Sequence, residues 1–204
     1  MDMDSTLISV ECIDEIGAAV GKKEQIAEIT EATMRGEIAD FQESLRRRVA
    51  LLAGVSEQAL AEIYVQRCQL NPGAEELILK AREHGLKTLL VSGGFTFFTD
   101  RLKQKLRLDY AYSNQLEIHQ GKLTGKVLGR IVDGLEKRRL VEQTCATIGC
   151  SAQQAIVIGD GANDIPMMQV SGLSVAYHAK PVVQQQARIC INQGGFEQLL
   201  KHLA

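Results

Sequence analysis

The chain has 204 residues, 45% of them apolar and 24% charged, with a formal charge of -2. That is ordinary globular composition for one domain with room for an insert, and it excludes a disordered chain. With no basic excess a nucleic-acid or anionic-membrane partner is not expected, and no apolar run approaches the roughly 18 residues of a membrane helix.

The start, Met-Asp-Met-Asp, has neither the basic nor the apolar region of a signal peptide. Cys12, Cys68, Cys145, Cys150 and Cys190 form no disulfide framework and no zinc spacing, which suits a reducing cytoplasm. The four histidines, His84, His119, His178 and His202, lie far apart and are not expected to bind metal.

In chain order, an acidic loop, Asp2-Met3-Asp4-Ser5-Thr6, comes first. Residues 12–70 then read as a bundle of short helices, with Gly36, Gly54 and Asn71-Pro72-Gly73 as punctuation. A helical stretch carrying Leu77, Ile78 and Ala81 ends at Gly85, and LKTLLV at 86–91 reads as a buried strand closed by Ser92-Gly93-Gly94. Phe98, Leu102 and Leu106 mark the next helix. Residues 110–129 read as a hairpin turning at His119-Gln120-Gly121-Lys122. A helix from Glu136 to Gly149 follows, then strands at 155–159, 173–177 and 188–191, with Pro181 opening a short helix between the last two. Strands alternating with helices predict an α/β fold: a doubly wound, Rossmann-type parallel sheet. Residues 1–11 and 71–204 would form that core, and 12–70 a helical cap over its site.

Ligands bind at the carboxyl ends of such strands, and three polar loops should converge there. Asp2 and Asp4, two apart in an extended segment, would face the same way. Ser92-Gly93-Gly94, between strand and helix, would expose backbone N–H groups to an anion. Gly159-Asp160-Gly161-Ala162-Asn163-Asp164 follows a strong strand, and its carboxylates offer hard oxygen suited to Mg2+. Each loop also has an ordinary reading, as helix caps or tight turns, and Lys137 reads equally as a surface lysine or as a cation for the site. Together the three supply a nucleophile, a metal site and an anion cradle, which fits a Mg-dependent phosphatase acting on a phosphate ester.

D-M-D-S-T, V-S-G-G-F, a following lysine and G-D-G-A-N-D, in that order, resemble the four motifs of the haloacid-dehalogenase-like phosphatases. Glu11–Ile16, Met34, Phe41, Ser44–Val49 and His178-Ala179-Lys180-Pro181 resemble the phosphoserine phosphatase branch of that family. The resemblance covers essentially the whole chain. It implies Asp2 as nucleophile and Asp4 as general acid and base. It implies Mg2+ held by Asp2, the Asp4 carbonyl and Asp160, with Asp164 in the second shell. Ser92, Gly93, Lys137 and Asn163 would bind the phosphoryl group. In the cap, Arg48 would take the substrate carboxylate, Glu11 its ammonium, and Met34 and Phe41 would form an apolar wall. The implied reaction is hydrolysis of O-phospho-L-serine, the last step of serine biosynthesis.

Other readings are a family member acting on a different small ester such as phosphohomoserine or a sugar phosphate, or a module phosphorylated on Asp2 that turns over poorly. In the resembling enzymes an apolar strand of about five residues precedes the nucleophile, whereas only Met1 precedes Asp2. The expectation is therefore that the sequence is a fragment lacking that strand, weakly stable or poorly active, or that an N-terminal regulatory domain is missing from it.

Overall fold

The computed structural model describes every residue except Gly36, Ala39 and Ala204, and every described side chain except those of Met34, His202 and Leu203. After a tight turn at Met3–Leu7, four helices follow: α1 (Cys12–Ala19), α2 (Lys23–Met34), α3 (Phe41–Ala50) and α4 (Glu57–Gln66). Then come α5 (Ala74–Glu83), β1 (Leu89–Phe95), α6 (Thr96–Leu106), the hairpin β2 (Tyr110–His119) and β3 (Lys122–Leu128), and α7 (Gly134–Thr147). The chain ends with β4 (Ile156–Gly159), α8 (Ile165–Val170), β5 (Leu173–Tyr177), α9 (Pro181–Gln184), β6 (Ile189–Ile191) and α10 (Glu197–Leu203). Among the described residues no helix is long and apolar enough to cross a membrane.

The strands form two three-stranded groups. β4, β5 and β6 are parallel; β1 is parallel to β2, which turns back antiparallel on β3. Met1 and Asp2 join the two groups. The Met1 nitrogen donates to Leu89 O at 2.8 Å, Val91 N donates to Met1 O at 3.0 Å, and Asp2 N donates to Ile158 O at 2.9 Å. Asp2 thus stands at the carboxyl ends of β1 and β4, where a parallel sheet presents its site.

Neighbouring strand residues split between two apolar cores. Leu90, Ile158 and Val175 belong to one, while Val91, Val157 and Ala176 belong to the other. This period-two alternation puts a covered core on each face of the sheet. α5, α6 and α10 supply Leu77, Phe98 and Leu199 to the first, and α7 and α8 supply Leu140 and Met167 to the second.

The helices α1 to α4 have no core of their own. Ile16, Ile26, Leu45, Val49, Leu60 and Ile63 merge with Met3, Leu7 and Ile8 into the first core. Where this segment leaves and returns, Ile8 pairs antiparallel with Leu70, and Asn71 N donates to Leu7 O at 3.0 Å. The α3–α4 connection is laced to the hairpin by Gly54 N to Leu123 O and Leu123 N to Val55 O, both 2.8 Å, and Glu57 N to Gly121 O at 2.9 Å. Gly125 allows this: a Cβ there would lie 3.2 Å from the Ala50 backbone, and its φ is +85°.

Two local expectations are corrected. The strand read at 86–91 runs instead from Leu89 to Phe95, so Ser92-Gly93-Gly94 is not a strand-to-helix turn but an irregular stretch within β1, where the β2 register shifts. Asp2 to Thr6 is not extended, because Met3–Leu7 coils into one turn, with Ser5 at φ 54° and Ile8 N donating back to Met3 O at 3.0 Å. The punctuating Gly36 lies outside the described residues.

Asn114 on β2 holds the irregular stretch: its Nδ2 donates to Gly93 O and its Oδ1 accepts from Val132 N, both at 2.8 Å. Asn114→Ala leaves both backbone groups without a partner, at about 1–3 kcal/mol each. The expected loss of about 2–6 kcal/mol would be read by chemical denaturation.

Candidate active site

Asp2 is 5% exposed. Its Oδ1 accepts from Met3 N at 2.7 Å, which starts the turn that brings Asp4 alongside. Asp4 Oδ1 accepts from Cys12 N at 3.1 Å, tying the turn to the start of α1. Gly94 is required by this packing, since a Cβ there would lie 2.6 Å from Asp4 Oδ2 and 3.1 Å from Ser92 Oγ. Burial, and then the nearby Glu11 charge, push the Asp4 carboxyl up to about 7.

Lys137 on α7 is fully buried and ion-paired twice, to Asp2 Oδ2 at 2.7 Å and to Asp164 Oδ1 at 2.8 Å. It is not a surface lysine. Burial works to strip its proton, but Asp164 and Asp2 together outweigh burial and hold its pKa above the usual lysine value. Asp164 Oδ2 accepts from the N–H groups of Asp160 at 3.0 Å and Gly161 at 3.1 Å. Only a glycine fits at position 159, where a Cβ would lie 2.3 Å from that same oxygen. Thr6 Oγ1 donates to Asp160 Oδ1 at 2.8 Å, and burial raises the Asp160 carboxyl to about 6.

Asp2, Asp160 and Asp164 each offer an oxygen, and these oxygens lie within 4.8 Å of one another. One ammonium faces three clustered carboxylates, so the donor set is all hard oxygen with surplus negative charge, which fits a divalent cation. Asp164 lies in this cluster with both oxygens engaged, Oδ1 by Lys137 and Oδ2 by the N–H groups of Asp160 and Gly161.

Ser92 is fully buried, and its Oγ accepts from Gly94 N at 2.9 Å. Phe41 Cζ and Asn163 Nδ2 close over Gly93, at 3.6 Å and 4.0 Å from where its Cβ would stand. Asp2, Ser92, Gly93, Asn163, Lys137, Asp160 and Asp164 therefore meet at one end of the sheet, as the three-loop argument expected.

The remaining candidate substrate contacts are placed less tightly. Glu11 is exposed and precedes α1 rather than lying within it; its Oε1 accepts from Ser5 Oγ at 2.5 Å. Arg48 is half-buried, with its Nε 3.4 Å from Ser44 O. Burial lowers its pKa, against the pull of Asp14 and Glu11. The Met34 side chain lies outside the described residues.

Thr6 and Asn114 were missed in the sequence. Thr6 lies inside the first motif and could have been read with it. Asn114, a lone amide in a strand, gave no such signal. Asp133 also went unread: Asp133-Gly134-Leu135-Glu136 has the spacing of a helix N-cap, and Asp133 Oδ1 accepts from Glu136 N at 2.9 Å.

A parallel sheet ending in clustered carboxylates, a buried lysine and a glycine-rich anion loop defines a phosphate-ester hydrolase class, and the family model "haloacid dehalogenase-like hydrolase" matches residues 1–169. The chain belongs to that family. It is 57% identical to a phosphoserine phosphatase of Polaromonas sp. (strain JS666), over 98% of this chain and 86% of that protein. A solved haloacid dehalogenase family hydrolase of Salmonella enterica serovar Typhi is 38% identical with a TM-score of 0.93, covering 98% of this chain and 68% of that one. A solved phosphoserine phosphatase with a phospho-aspartyl intermediate analogue is 37% identical with a TM-score of 0.90, covering 98% and 95%. Phosphatases of this family generally use a metal ion, which agrees with the acidic cluster.

Lys137→Met, without divalent cation, strands two buried carboxylates and should cost about 3–5 kcal/mol at pH 7. Burial then keeps the folded-state pKa of Asp2 above its unfolded value of about 3.9, so the folded variant binds more protons than the unfolded chain. Its stability should rise as pH falls from about 7 to 5, narrowing the gap to the parent protein. Denaturation at several pH values checks both the size and the sign.

Proposed function

We propose that the chain hydrolyses O-phospho-L-serine to serine and phosphate through an aspartyl-phosphate on Asp2, as the last step of serine biosynthesis, in the cytoplasm. The observation that carries the reaction is the buried Asp2–Lys137–Asp164 arrangement with the Asp4 carboxyl beside it. Its relatives named phosphoserine phosphatase carry the substrate. The working division is residues 1–11 and 71–204 as catalytic core and 12–70 as cap, supported by the paired segments at Ile8 and Leu70.

In the reading we favour, an Asp2 carboxylate oxygen attacks phosphorus and the bond from phosphorus to the serine oxygen breaks. Asp4, which burial keeps near half-protonated at neutral pH, gives its proton to that leaving oxygen. Asp4 then takes a proton from water as the water attacks the phosphoryl group, and Asp2 is released. Lys137, Ser92, Gly93 N–H and Asn163 hold the phosphoryl oxygens, the positioning that dominates phosphoryl transfer. Mg2+ held by Asp2, the Asp4 carbonyl and Asp160, with Asp164 orienting the groups around it, would neutralise phosphate charge. Arg48 offers the substrate carboxylate a planar two-pronged donor, and Glu11 faces the ammonium. Phe41 keeps water from the phosphoryl site.

Asp2→Asn should abolish both turnover and phosphoenzyme while leaving the fold intact. Asp4→Asn should still form phosphoenzyme but lose about 10²-fold or more in turnover. Radiolabel trapping beside a phosphate-release assay checks both, with Mg2+ restoring what a chelator removes; ordinary rates in Asp2→Asn would remove the nucleophile assignment.

Arg48→Ala should lower kcat/KM for phosphoserine by about 2–3 kcal/mol, roughly 30- to 150-fold, and barely alter an aryl phosphate without a carboxylate. Equal losses on both substrates would put Arg48 in the fold or the phosphate site instead.

A further inference from the structure

The site is largely closed. Lys137, Ser92 and Asp164 are fully buried, and Asp2 is 5% exposed. Asp4, Asp160 and Asn163 keep some exposure, and the start of α3, with Phe41, stands over Gly93. That helix is held unequally at its two ends. Its carboxyl end rests on Gly125 and runs into the three backbone bonds that join Gly54, Val55 and Glu57 to the hairpin. Among the described residues its amino end has one side-chain bond to the sheet-bearing part of the chain: Gln42 Nε2 donates to Asp133 Oδ2 at 2.9 Å. The other oxygen of Asp133 caps α7, the helix that carries Lys137.

We propose that Gln42 and Asp133 form a latch that holds the amino end of α3 down over the phosphate site and sets the fraction of time the site is shut. This rests on reading the site as one that takes a phosphate ester. The hinge is the hairpin end of α3, and Gln42, adjacent to Phe41, is the positioning residue. Both latch groups are half-buried, so the bond can exchange with water when the helix lifts. Apparent affinity scales with the fraction of molecules in the competent, closed form. Weakening the latch therefore raises KM without slowing the chemical step.

The test uses Gln42→Ala, Gln42→Glu, which sets like charges together, and Gln42→Lys, which restores an attraction to Asp133. Expected are a KM for phosphoserine about 3- to 10-fold higher in Gln42→Ala, the scale of one charge-assisted bond discounted for solvent, with kcat not lowered. Gln42→Glu should rise at least as far, and Gln42→Lys should return to the parent value. In substrate-free protein, amide exchange at Gly93 and Gly94 should follow the same order, while Gly54 and Leu123 at the hinge stay unchanged. Unchanged KM and unchanged Gly93 exchange in both Gln42→Ala and Gln42→Glu would overturn the latch, as would equal loss in all three variants. If the exchange order holds in a protein that does not hydrolyse phosphoserine, the latch stands and the substrate assignment fails.

Discussion

One ammonium group organises the functional end of this molecule. Lys137 Nζ reaches across from α7 to Asp2, on the strip joining the two strand groups, and to Asp164, in the loop after β4. Three separate parts of the chain are held in register by two contacts under 3 Å. Burying such charges gains little net stability, because desolvation offsets most of the attraction. What the arrangement supplies is position. Neither carboxylate can drift without leaving a buried charge unpaired, and the glycine at 159 exists to let Asp164 come this close. Drift of about 1 Å can cost a hundredfold in rate, so fixed position is what a phosphoryl-transfer site needs most.

The helices α1 to α4 work under an opposed constraint. They share the first core with the sheet and so cannot come away as a unit without exposing Ile16, Leu45 and Leu60 to water. In the proposed reaction the site beneath must nevertheless admit its ester at each turnover. In the proposed latch the unequal fastening of α3 reconciles these demands, since its amino end is held by the Gln42–Asp133 bond while its hairpin end stays laced. Closure of this kind excludes water and completes the set of binding groups in a single movement.

How far the sequence could be read follows from the range of the forces involved. The strand at 173–177 was legible to the residue, because a short apolar run between turn residues leaves no competing structure. The hairpin turn was legible for the same local reason. The acidic loops were legible as chemistry but not as shape. The Asp2 carboxylate accepting from Met3 N folds what looked extended into a turn, a local competition that residue spacing does not reveal. β1 ran on through Ser92-Gly93-Gly94 because Asn114, 21 residues away, ties down Gly93 from the next strand. Lys137 could be read as surface or site until the fold buried it, since charge alone says nothing about depth. Gln42 was illegible, for its partner lies far along the chain and neither residue breaks any local pattern.

Asp2 and Asp4 are two residues apart and chemically identical, yet the proposed reaction needs one to attack as an anion and the other to donate a proton. Environment can divide them. Burial pushes both carboxyls upward, but Asp2 has the Lys137 ammonium in contact at 2.7 Å, so its ionised form is the one that leaves no buried charge alone. Among the described residues Asp4 has no cation in contact; Cys12 donates to it from its backbone N–H, while Glu11 adds a second negative charge nearby. Its proton is therefore retained to about pH 7, where it can be given up and taken back within one cycle. Reversing the placement of Lys137 by a few ångströms would exchange the two parts. The division of labour between the paired carboxylates is thus written in α7, more than a hundred residues away, and not in the motif that contains them.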